Sequence, residues 1–150
     1  MNEKVKRFVV PMKGTTEKAE FTALATAFER LYSYLRDSAG SRRDVCLFVP
    51  IKGNLSGTTL SRVLGHRLTA PLLRGDSVSY REGFKLRAES KRTILRPPHP
   101  RVVLAALADR QMLSILDRIS NLEAVVVVPW EWEDIRDWAE DVGAEVVKVA

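Results

Sequence analysis

The period of the apolar positions changes along this 150-residue chain, and the changes mark out its elements. Residues 5–10 close on Phe8-Val9-Val10 and read as a first strand. From about 16 to 37, Phe21, Leu24, Ala25, Phe28, Leu31, Tyr32 and Leu35 recur at steps of three and four, which is one stripe of an amphipathic helix. Gly40 stands just beyond, where a helix stop belongs. Residues 45–49 predict a second strand, and 58–68 a helix with Leu60, Val63, Leu64 and Leu68 on one face. Residues 102–107 and 124–128 are almost unbroken apolar runs, the pattern of strands covered on both sides. Between them, Met112, Ile115, Leu116 and Ile119 predict a helix that Asp109 caps. A last helix over 131–142 would bury Ile135, Trp138, Ala139 and Val142, stop at Gly143 and lead to a strand at 145–149.

This alternation predicts a single α/β domain over 1–150, with a mostly parallel, Rossmann-like sheet between two helical layers. Its interruption is a basic stretch near 69–101. Val78, Tyr80, Phe84 and Leu86 share one face if residues 81–83 form a hairpin loop, leaving Ser77, Ser79, Lys85 and Arg87 on the other. A short helix over 85–92 is the alternative. Arg96-Pro97-Pro98-His99-Pro100 then forms a stiff, extended connector back to the sheet.

Charge sharpens the picture. The net charge is +5, but residues 1–61 carry +4, residues 62–101 carry +7 and residues 102–150 carry −6. A basic middle suits an anionic ligand or nucleic acid, and a basic middle facing an acidic end equally suits self-association into a homo-oligomer. No apolar run approaches the roughly 18 residues of a membrane span, so a cytoplasmic protein without membrane contact is expected. Cys46 lies inside the second strand and reads as packing; with His66 and His99 alone beside it, no metal site is expected. His66 is read as closing the second helix. No cofactor is specified.

Three strands run into proline, at Val10-Pro11, Val49-Pro50 and Val128-Pro129, each ahead of a predicted helix. Such turns lie at the carboxyl ends of parallel strands, where open α/β sheets bind ligands. After Pro50 come Lys52, Gly53, Ser56, Gly57, Thr58 and Thr59, which combine a lysine, two glycines and small hydroxyls ahead of a helix start without acids. That chemistry suits a phosphate. Residues 56–60 resemble the phosphate-loop end of phosphoribosyltransferases. The acid pair which that family places upstream is replaced here by Pro50 to Gly53, so no role is carried over. The helix after Pro11 opens with Glu17 and Glu20, and the helix after Pro129 with Glu131, Glu133 and Asp134. Both turns therefore read as scaffold, lending at most Lys13 or Trp130 to the rim of a site. Asp109, at the end of the 102–107 strand, is placed either to meet a ribose hydroxyl or to cap its helix.

The first functional expectation is thus a domain binding a phosphorylated or nucleotide-type ligand through Lys52, Gly53, Ser56, Gly57, Thr58 and Thr59, with Lys13 and Asp109. The second is a non-catalytic nucleic-acid module using Arg81, Lys85, Arg87, Lys91, Arg92 and Arg96. The third is an oligomerising domain with no small-molecule site. No spacing of nucleophile, base and acid spells out a reaction.

Overall fold

The computed structural model describes residues 5–37, 44–51, 58–80 and 84–149. It is an α/β protein. In chain order the elements are β1 (Lys6–Val9), α1 (Glu17–Asp37), β2 (Asp44–Phe48), α2 (Thr59–Leu64), α3 (His66–Leu73), β3 (Val78–Ser79), β4 (Lys85–Glu89), β5 (Val102–Ala108), α4 (Arg110–Leu116), β6 (Ala124–Pro129), α5 (Trp132–Val142) and β7 (Glu145–Val146). The strands form one sheet in the order β3-β4-β2-β5-β6-β1-β7. Every pairing is parallel except that of β3 with β4.

The two apolar runs became neighbours at the centre. All six residues of β6 are buried, and β5 is buried except at Leu107. Alternate residues of the sheet then feed two apolar clusters. One joins Leu47, Leu104 and Val126 to Leu24 and Leu31 of α1, Leu60 of α2 and Leu72 of α3. The other joins Cys46, Val103 and Val125 to Met112 and Leu116 of α4 and Ile135 of α5, with Ile94 from the segment after β4. The connection from β1 to β2 therefore runs over the first face. Those from β4 to β5, β5 to β6 and β6 to β7, which travel the opposite way across the sheet, run over the second. A sheet of right-twisted strands requires this division when all its crossovers share one hand.

Several expectations change. The helix expected over 58–68 is two helices, because Gly65 adopts φ 90°, ψ 151° and turns the chain between α2 and α3. The apolar spacing Leu60, Val63, Leu64, Leu68 continues across that break and concealed it. His66 consequently opens α3 rather than closing α2. Residues 85–89 form a strand rather than the alternative helix, and β4 lies between β3 and β2, in parallel register with β2 through Cys46↔Arg87. β3 pairs antiparallel with it through Val78↔Leu86 and Ser79↔Lys85; residues 81–83, the expected loop with Arg81, lie outside the described residues. The last strand is shorter than expected, Glu145–Val146. In α1 the stripe is buried at Leu24, Phe28, Leu31 and Leu35, while Phe21 is exposed. Gly40 lies outside the described residues.

Candidate functional site

A cleft of about 360 Å³ opens at the carboxyl edge of the sheet. Its walls are Val49 and Pro50 beyond β2, Ala106 and Leu107 of β5, Trp130 beyond β6, Thr58–Leu60 at the start of α2, and Glu17 and Glu20 in the first turn of α1. Its position follows from the topology. The chain leaves β2 over one face of the sheet and leaves the adjacent β5 over the other, so the two strand ends part. This is the crevice in which open α/β sheets bind ligands.

The β5 wall is irregular. Ala106 pairs with Val128 and Ala108 with Pro129, so Leu107 is an extra residue, a bulge. Beyond the bulge the ladder resumes through the Trp130 amide donating to the Ala108 carbonyl at 2.9 Å. Leu107 takes φ 56°, a left-handed conformation that a leucine adopts only at a cost. The strained residue stands in the cleft wall.

Thr58 closes the other wall. Its hydroxyl accepts from the Ser61 amide at 3.4 Å, and the Ser61 hydroxyl accepts from the Thr58 amide at 3.1 Å, a reciprocal cap of the short α2. Thr59 is buried. Lys52, Gly53, Ser56 and Gly57 of the expected cradle lie outside the described residues. Glu17 and Glu20 change the expected character of the place: the acidic helix start after Pro11, read as scaffold, faces the same cleft as Thr58 and Thr59. Arg62 of α2 offsets Glu17 at 3.6 Å. Trp130, 59% exposed, stands on the rim, and Lys13 is exposed but does not line the cleft.

Asp109 is drawn away to structural work. Its Oδ1 accepts from the Met112 amide at 2.9 Å, capping α4, and its Oδ2 lies 2.7 Å from Lys91 Nζ. Lys91 also donates to Gln111 Oε1 at 2.8 Å. Partial burial works to raise the Asp109 pKa, but the hydrogen bonds from Lys91 and Met112, with the ammonium charge, outweigh it and hold the carboxyl below its ordinary range. Of the other basic candidates, Arg87 Nε lies 2.9 Å from Glu89, while Lys85, Arg92 and Arg96 are exposed. Two of the six cations expected to meet nucleic acid therefore already face a carboxylate.

A second cleft, of about 320 Å³, lies at the opposite edge of the sheet, at the amino ends of β2, β4 and β5. Ser77, Lys85, Arg87, His99 and Arg101 line it with Asp44. Three of these, Ser77, Lys85 and Arg87, are residues that the alternation in 77–87 set on the polar face of the strand pair. Among the described residues no helix is long and apolar enough to cross a membrane. The chain matches no family model, no curated protein and no solved structure.

Proposed function

We propose that this chain is a Rossmann-like, three-layer domain that binds a nucleotide-type or otherwise phosphorylated small molecule in the carboxyl-edge cleft. The observation that carries the reading is the position of the cleft, between the parted ends of β2 and β5. Its chemistry supports a ligand with two ends. Glu17 and Glu20 are acceptors suited to sugar hydroxyls or an exocyclic amine, and the exposed indole of Trp130 suits stacking on a base. The chain that links Pro50 to Thr58 carries Lys52, Gly53, Ser56 and Gly57, whose side-chain and backbone donors suit the phosphate end. A bare phosphate is the poorer fit, because the two glutamates would repel it.

Thermal unfolding across a panel of nucleotides and sugar phosphates tests the reading. A ligand at about a hundred times its Kd stabilises the folded state by about 2.7 kcal/mol, which for a chain of this size raises the melting temperature by about 5–10 °C. Lys52→Ala combined with Glu20→Gln should remove that rise. A panel that leaves the melting temperature unchanged contradicts the proposal.

A further inference from the structure

The amino-edge cleft has a construction that the carboxyl-edge site does not explain. The register places Asp44 opposite Lys85 and Cys46 opposite Arg87 on β2 and β4, and Cys46 opposite Val103 on β5. Side chains alternate along a strand, so Lys85, Arg87 and Arg101 project on the face of the sheet that also carries Cys46 and Val103. On that face α4 and α5 cover the sheet around β5 and β6, and β4 contributes no buried apolar residue to their cluster. Among the described residues no helix covers β4 on that face, and the proline connector with His99 forms the far wall.

Among the described residues the charges in this opening are only partly compensated. Lys85, Arg87 and Arg101 face one acid within the cleft, Asp44, with Glu89 set against Arg87. Among the described residues neither Lys85 nor Arg101 has an ion-pair partner. His99 Nε2 lies 2.9 Å from the Leu95 carbonyl and donates to it, which fixes the imidazole in place at the rim. Two guanidinium forks, an ammonium and the Ser77 hydroxyl thus surround a single small volume. Cations gathered in this way repel one another until an anion joins them, and fork-shaped donors match the oxygens of a phosphate. A nucleic-acid backbone needs a run of cations along an open track, whereas here they converge on one cavity.

We propose that the amino-edge cleft is a second binding site, for the terminal phosphate of a small phosphorylated molecule, held by Lys85, Arg87 and Arg101 with Ser77. It is independent of the carboxyl-edge reading. The test follows the imidazole resonances of His99 during titration with inorganic phosphate; the chain has two histidines, and His99→Gln identifies the relevant signals. The His99 signals should move saturably. Lys85→Gln with Arg101→Gln should weaken the phosphate affinity at least about tenfold, the loss expected when charge-assisted hydrogen bonds go. Lys18→Gln with Arg118→Gln, which removes equal charge from exposed positions elsewhere, should leave it unchanged. His99 signals that stay still under phosphate would overturn the site, even if nucleotides bind at the other edge. Equal weakening in both double variants would also overturn it, since that reports diffuse attraction. Tighter binding of an oligothymidylate lacking terminal phosphates than of phosphate itself, with the same His99 shifts, would reassign the cleft to a nucleic-acid strand.

Discussion

Replacing Asp109 separates two contributions that meet in one carboxylate. Asp109→Ala removes the α4 cap, worth about 1 kcal/mol within a range of about 0.5–2. It also removes the Lys91 contact, between side chains that are 42% and 24% exposed. Solvent screens a pair so placed, which limits it to about 1 kcal/mol or less. The total of about 1–2 kcal/mol lowers the melting temperature by about 2–8 °C in a chain of this size. Asp109→Asn keeps an equally good capping oxygen and loses only the pair, so it should cost less than about 1 kcal/mol. Lys91→Met loses the pair and also the hydrogen bond to Gln111, so it should cost slightly more, and the double variant Asp109→Asn, Lys91→Met should be no worse than Lys91→Met alone. Urea unfolding at neutral pH compares the natural chain with the four variants. A carboxylate held below its unfolded pKa adds stability that is present above the unfolded value and is lost as pH falls through the folded one. The advantage of the natural chain over Asp109→Asn should therefore shrink as pH falls below the ordinary 3.8. Asp109→Asn proving as damaging as Asp109→Ala, or a difference that grows in acid, would refute this division of roles.

Three further perturbations probe the scaffold and the cleft rim. Gly143 ends α5 at φ 67°, ψ 37°, and a methyl group there would meet nothing within 4 Å, so Gly143→Ala should cost about 1 kcal/mol in thermal unfolding through backbone conformation alone. Leu104→Ala on the buried central strand should cost about 2–5 kcal/mol. Trp130→Ala, at an exposed rim, should change stability by less than about 0.5 kcal/mol while weakening ligand binding.

How much of this could be read beforehand depended on how local each signal was. The central strands announced themselves in the unbroken runs at 102–107 and 124–128, because a strand buried on both faces has no polar side to show. Asp109 as a cap was legible from its place ahead of a helical stripe. The polar set Ser77, Lys85 and Arg87 followed from simple alternation. Contacts between distant segments left no such trace. Lys91 and Asp109 are 18 residues apart, and only the placement of β4 beside β2 brings the segment after β4 near α4. The meeting of Glu17 and Glu20 with Thr58 and Thr59 depends likewise on α1 and α2 sharing one face of the sheet, so two turns that looked unrelated border one cleft. Leu107 carried no warning of its backbone, since a leucine rarely takes a positive φ and nothing in its type marks a bulge. Gly65 was a signal in plain view. It lost to an apolar spacing that happened to stay in phase across the break.

The most direct measurement of the carboxyl-edge site follows the indole N–H resonances of the three tryptophans during nucleotide titration. Trp130 lies on the cleft and Trp138 does not. The Trp130 signal, identified by its loss in Trp130→Phe, should shift saturably and stop responding when Lys52→Ala and Glu20→Gln are introduced, while Trp138 remains still throughout. A Trp130 signal that ignores every nucleotide and sugar phosphate, or that responds equally in the double variant, would contradict a ligand site between the ends of β2 and β5.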